Sequence, residues 1–309
     1  MDTRPRGAVV SPLSENAAPL SSRAEGALKL QESVHLPHPP NPEGLARMDT
    51  AGMRSSFLLP RFFEQNRIIL YHSEVDRATV GGAVPGSGPL LLVAPPEHRS
   101  EFFAQRRELG VFNIGGSGVV RVDGTAFCLA PRDAIYIGSG SREIRFESED
   151  GRKPALFYFV SYPAHAAYRT RRICEGEAER SSLGSAANAN CRTIRKYICP
   201  PEVETSQLTM GLTTLEEGSV WNTMPAHTHP RRSEIYFYFD LPEDAIVVHC
   251  FGVPQETRHL LVRNRQAVVS PSWSIHLGAG TSRYSFIWAM GGENREFSDM
   301  NAIPMDVLA

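Results

Sequence analysis

Nowhere in this 309-residue chain do apolar residues run on for the roughly 20 positions that a membrane-crossing helix needs. Blocks of one charge are missing too. The 32 Lys and Arg face 34 Asp and Glu, a formal net charge of -2, so no electrostatic feature calls for nucleic acid or an anionic membrane as partner. The five cysteines (128, 174, 191, 199 and 250) are odd in number and include no C-x-x-C pair. That argues against a disulfide framework and for scattered reduced thiols. The opening MDTRPRGAVVSPLSENAAPLSS holds no apolar segment of the kind a secretory leader carries, and the expected compartment is cytoplasmic. Long helical periods are scarce.

What the chain does contain is short strands. Residues 112–149, FNIGGSGVVRVDGTAFCLAPRDAIYIGSGSREIRFESE, are brief β-rich segments broken by glycine-bearing turns. The C-terminal half repeats the style in SEIYFYFD, AIVVHCFG, HLLVRN, QAVVSPSWSIHLGAG and YSFIWAMGG. Strands at this spacing predict an all-β protein built as antiparallel barrels or jelly rolls. Two internal matches predict two such units from an old duplication: RRELGVFNIGG (106–116) with RRSEIYFYF (231–239), and LAPRDAIYIGSGSREIRF (129–146) with VSPSWSIHLGAGTSRYSF (269–286). The second match sets Tyr136 against His276, so that only the later copy keeps histidines. The expected divisions are a Pro-, Ala- and Ser-rich arm at 1–50, a first unit at 51–175, a polar linker at 176–195 and a second unit at 196–309.

The segment PAHTHPRRSEIYFYFD (225–240) carries the chemistry. On a strand, His227 and His229 point the same way. Pro-Arg-Arg-Ser supplies a turn, and a hairpin would bring Glu234 onto the face of both imidazoles. Glu234, Tyr236 and Tyr238 share that face by period 2, while Ile235, Phe237 and Phe239 share the core face. His276, in PSWSIH, offers a further ligand. Three imidazoles and a carboxylate suit a first-row ion such as Zn²⁺, with Fe²⁺ or Mn²⁺ also compatible. Redox-silent zinc fits Lewis-acid work on a carbonyl.

H-x-H-x4-E followed by P-x4-H resembles the paired motifs of cupin barrels. The longer strings GLTTLEEGSVWNTMPAHTHPRRSEIYFYF, GVPQETRHLLVRN and QAVVSPSWSIHLGAGTSRYSFIWAM resemble the 5-keto-4-deoxyuronate isomerase family, from about residue 45 to the end. The resemblance implies two cupin-like units and one zinc per chain on His227, His229, Glu234 and His276. It also implies a hexamer and conversion of 5-dehydro-4-deoxy-D-glucuronate to 3-deoxy-D-glycero-2,5-hexodiulosonate in pectin and uronate breakdown. A cupin Fe²⁺ dioxygenase and a non-catalytic uronate-binding cupin are the alternatives.

Isomerisation moves a proton between neighbouring carbons through an enediol or enediolate, which requires a base close to that proton. Glu256 and His259, in QETRH, are the candidates, and a strand-edge ion pair of Glu256 with Arg258 is the competing reading. For the substrate carboxylate, Arg231, Arg232 and Arg258 are candidates, with Arg192 and Lys196 behind them and Tyr236 and Tyr238 lining the same cavity. His35 and His38 are expected on a solvated arm. His72, His98 and His165 have no partner at ligand spacing, and His249 with Cys250 reads as a buried structural pair.

Overall fold

The structure, a computed structural model, describes residues 26–309; the part of the expected arm at 1–25 lies outside the described residues. Strands dominate, and they build two sandwiches, each a seven-stranded sheet facing a four-stranded one.

The first large sheet runs Gln31–His35, Arg67–His72, Thr79–Val84, Phe157–Pro163, Arg107–Asn113, Ala134–Ile137, Arg171–Ile173, with only its first pair parallel. Its small partner is Leu90–Leu92, Ile144–Ser148, Gly118–Val122, Thr125–Leu129. The second large sheet runs Glu179–Leu183, Arg192–Ile198, Thr209–Leu215, Ser285–Gly292, Arg232–Phe239, Gln266–Ser270, Leu58–Leu59. Facing it are Trp221–Asn222, Ile275–Gly280, Val247–Val253 and Glu256–Val262.

The two units share one topology. Number the strands in chain order from Arg67–His72 and from Arg192–Ile198, setting aside the short His227–Thr228. Each large sheet then has the order first, second, ninth, fourth, seventh, and each small one third, eighth, fifth, sixth. The expected all-β pair of similar units is therefore what forms, as two-sheet sandwiches without a closed ring of hydrogen bonds. The match of RRELGVFN with RRSEIYFYF is a match of fourth strands, and it sets Leu109 at the place of Glu234. The match of Tyr136 with His276 does not hold: Tyr136 lies on the seventh strand of its unit and His276 on the eighth. Both are preceded by proline and followed by G-x-G, but that is turn chemistry, which recurs at neighbouring turns and does not index strands.

Strict alternation sorts the fourth strand of the second unit. Ile235, Phe237 and Phe239 face outward from their sandwich, Tyr236 and Tyr238 inward. The outward faces of both large sheets meet, so the molecule is a stack of four layers. Its largest apolar cluster lies between the units, where the rings of Tyr158 and Phe237 stack at 4.1 Å. Separate clusters fill the first and second sandwiches. Between the units, the fully buried carboxylate of Glu108 accepts the backbone N–H groups of Ser206, Gln207 and Leu208 and the Tyr136 hydroxyl, at 2.7–2.8 Å.

Hydrogen bonding crosses the expected divisions. Within the expected arm, Gln31–His35 adds to the first sheet, and a helix at Pro42–Ala46 is capped by Asn41. A second helix, Thr50–Phe57, is capped by Asp49 and leads into Leu58–Leu59, which closes an edge of the second unit. The expected linker holds Glu179–Leu183, paired with Arg192–Ile198. These segments are polar because each lies at or next to a sheet edge, where one face is solvated.

Candidate metal centre

His227, His229, Glu234 and His276 come from three different elements and converge at one end of the second sandwich. Glu234 is the third residue of Arg232–Phe239 and points inward by alternation. His276 stands on the facing small sheet. The two remaining histidines precede the Pro230 turn, which is closed by the Arg232 N–H donating to the His229 carbonyl at 3.1 Å. The expected hairpin of His227 and His229 with Glu234's strand is absent. His227–Thr228 instead pairs with Asn301–Ala302 of the C-terminal segment, while Arg232–Phe239 runs between Gln266–Ser270 and Ser285–Gly292. Both neighbours of Glu234's strand are thus already taken by long strands.

The ligand atoms of the four side chains all lie within 4.8 Å of one another. His227 Nε2 is 3.1 Å from both His229 Nε2 and His276 Nε2, and Glu234 Oε2 is 3.2 Å from His229 Nε2 and 2.7 Å from His276 Nε2. Donors placed about 2.0–2.1 Å from a common ion sit roughly 3.0–3.4 Å apart, so a first-row ion fits with small adjustments. At His229 the outer shell agrees. His229 Nδ1 lies 2.8 Å from the Asp299 carbonyl, which makes it the donor and leaves Nε2 bare toward the centre. Burial alone would raise the Glu234 carboxyl, but the imidazoles of His276 and His229 override it and hold it well below the usual carboxylate range. Burial, then His276, pushes His227 down to about 3, leaving it neutral as a ligand must be.

Over the cluster lies a cavity of about 250 Å³. Its polar wall includes Arg192, Thr223 and Tyr236, and its apolar wall includes Phe286, Trp288, Phe297 and Met300. Tyr236 Oη is 3.0 Å from Thr223 Oγ1, and burial pushes its phenol well above the ordinary range. Arg192 donates to the Asn190 carbonyl at 3.0 Å, and among the described residues no carboxylate pairs with it. Tyr238 lies deeper, its hydroxyl 2.8 Å from His249 Nδ1, and does not line the cavity.

The other expected contacts lie elsewhere. Arg231 is exposed and paired with Glu293. Arg232 is buried and donates to the Asp299 carbonyl at 2.9 Å, so it holds the C-terminal segment over His229. Lys196 pairs with Glu179 at 3.0 Å. Glu256 and His259 lie on the outer edge strand of the small sheet, with Glu256 bonded to Arg258 at 2.7 Å, and neither lines the cavity. Thr223 and the wall supplied by Phe297 and Met300 were not read from the sequence. Thr223 lies inside the W-N-T-M-P string that marked the region; the C-terminal segment carries no such signal.

Three histidines and a glutamate that could hold a metal ion, set inside a duplicated two-sheet sandwich, define a β-protein of cupin type. The chain belongs to the KduI/IolB family, whose profile matches residues 58–304. It is 48% identical over 283 residues to the 4-deoxy-L-threo-5-hexosulose-uronate ketol-isomerase of Dickeya dadantii, covering 91% of this chain and all of that one. The protein of the same name from Lachnospira eligens is 51% identical over 265 residues, 84% of this chain and 94% of that one. Among solved structures, an IolB-like protein of Salmonella typhimurium superimposes with a TM-score of 0.64 at 15% identity, over 80% of this chain and 97% of that one. At that identity the likeness speaks for the fold alone. Among the described residues no helix is long and apolar enough to cross a membrane.

Proposed function

We propose that this chain is a zinc-dependent ketol-isomerase that converts 5-dehydro-4-deoxy-D-glucuronate to 3-deoxy-D-glycero-2,5-hexodiulosonate in the cytoplasm. The observation that carries the reading is the convergence of three Nε2 atoms and one carboxylate oxygen beneath a cavity with a half-buried arginine on its wall. The names of the two relatives, both uronate ketol-isomerases, support this class of reaction. His227, His229, Glu234 and His276 would hold the ion. When bound, it supplies Lewis acidity to the sugar carbonyl and stabilises the negative charge of an enediolate.

The chain's own groups account for the rest. Arg192 faces the cavity with its charge unmatched by a carboxylate, and it binds the substrate's carboxylate. Tyr236 keeps its proton on Oη, so it donates a hydrogen bond to a substrate oxygen and does not act as the base. Phe286, Trp288, Phe297 and Met300 exclude water from the reacting carbons. Homo-oligomerisation, as a hexamer, belongs to the same proposal and is read by light scattering.

The test is turnover of enzymatically prepared 5-keto-4-deoxyuronate before chelation, after chelation and after zinc is returned. Activity lost and restored supports the assignment. A metal-replete sample that binds the uronate without converting it would overturn the isomerase reading, and oxygen-dependent turnover with iron would replace it by a dioxygenase.

A further inference from the structure

The first sandwich, which has no counterpart to Glu234, keeps a polar cleft of about 480 Å³ at its own mouth. Alternation turns His72, Thr79, Arg107 and Ser161 inward, on the faces of Leu70, Ala83, Leu109 and Phe159 that fill this sandwich. Arg107 opens the fourth strand here, as Arg232 opens the fourth strand beside the histidine cluster of the second unit. The two clefts therefore sit at matching ends of matching sandwiches.

Three histidines that are remote in sequence meet in this cleft. His35 is in register with His72, their rings stacked at 4.9 Å, and His98 packs edge-on to His72 at 5.1 Å. Thr79 Oγ1 lies 3.1 Å from His72 Nδ1 and 3.4 Å from His98 Nε2. They do not form a metal cluster: among the described residues, only the four side chains of the second unit bring ligand atoms that close together. Burial, with His35 and Arg107 adding to it, lowers His72 to about 4, and burial with Arg107 lowers His98 to about 3, so both are neutral. Thr79 has one hydroxyl hydrogen for two neutral rings. One ring accepts it and the other donates its own N–H.

Arg107 carries the unmatched charge. Its Nε donates to Ser161 Oγ at 3.1 Å, and its Nη2 to the carbonyls of Arg77 and Ser161 at 2.6 and 2.9 Å, all of them neutral acceptors. Its Nη1 makes no hydrogen bond and is not sealed from the cleft. Three arginines (77, 106 and 107) against two glutamates (74 and 97) line the cleft and leave a single positive charge. A monoanion balances that charge, while a phosphate dianion would leave excess negative charge beside Glu74 and Glu97.

We propose that this cleft is a second, non-catalytic site for a small carboxylate monoanion, its carboxylate on Arg107 Nη1 beside the rings of His72 and His98. The site does not depend on the reaction assigned to the second sandwich.

The experiment uses the full chain carrying His229→Ala and Arg192→Met and treated with chelator, so that the other site is disabled. D-Gluconate, D-glucuronate and uncharged D-glucose are titrated by calorimetry. One binding event per chain is expected for the acids and none for glucose, with affinity at least tenfold weaker when Arg107→Gln is added. Preference for glucuronate over gluconate would mark a uronate of the substrate's own class, and the reverse an aldonate. No heat with either acid, equal binding of glucose, or affinity unchanged by Arg107→Gln overturns the proposal. Should Arg107→Gln fail to fold, the ring C–H resonances of His72 and His98 in histidine-labelled wild-type protein decide. Gluconate must shift them and glucose must not; resonances that stay in place overturn the site.

Discussion

Glu108 is the sharpest point at which the joining of the two units can be tested. Its carboxylate has no solvent exposure and accepts four hydrogen bonds, two at each oxygen. Glu108→Gln keeps the shape but replaces one acceptor oxygen by an NH₂ group. With the amide oxygen toward Gln207 and Leu208, the nitrogen confronts the Ser206 N–H, donor against donor; Tyr136 can rotate its hydroxyl to accept. The flipped amide leaves two backbone N–H groups facing a donor, so the first orientation is the better one. It leaves one buried N–H unpaired and strips the charge from the other bonds, a loss of about 2–4 kcal/mol. At about 1.5–2 °C per kcal/mol for a chain of this size, the melting temperature should fall by roughly 3–8 °C. Scanning calorimetry at pH 7 reads this directly, with metal content as a control, because the site lies on the far face of the second large sheet. A Glu108→Gln protein that melts within 1 °C of wild type would show that the carboxylate's charge and its second oxygen contribute nothing.

Four further outcomes follow from the same geometry. Glu234→Gln and His229→Ala should purify without bound metal, and chelation should lower the melting temperature of wild type but not of these variants; elemental analysis with thermal melts checks both. Arg192→Met should raise KM for the ketouronate at least tenfold while changing kcat less, as removal of a carboxylate contact requires. Phe237→Ala, which empties the ring stacked on Tyr158 between the units, should cost about 3–5 kcal/mol in urea unfolding. Burial lowers His249 to about 3, below its unfolded value near 6.5, so its contribution to stability is present above about pH 6.5 and is lost as pH falls. Between pH 7.5 and 5.5 that loss is about 1.4 kcal/mol, and His249→Gln should shrink the pH dependence of the urea midpoint by that amount.

The residues themselves determined the all-β class, the duplicated plan and the four side chains that converge as a candidate metal cluster. Period-2 alternation in EIYFYF sets which side chains share a face whatever the strand pairs with, so Glu234 and Tyr236 could be placed together before any partner was known. The H-x-H spacing works in the same local way. The register of the repeat at His276, the strands inside 176–195 and the docking of residues 26–59 onto both sandwiches depended on pairing with strands far along the chain. Polar edge segments carry little local trace of such pairing. Tertiary structure alone decided which arginine faces the cavity: Arg231, Arg232 and Arg258 ranked ahead of Arg192 by local spacing, yet Arg192 is the one on the wall, because the four differ in what packs around them. It also moved Glu256 and His259 to an outer edge strand, and it brought His35, His72 and His98 together through one parallel pairing and one short turn. Alternation and motif spacing are properties of neighbouring residues, whereas a cavity wall is assembled from segments that only the closed sheets bring side by side.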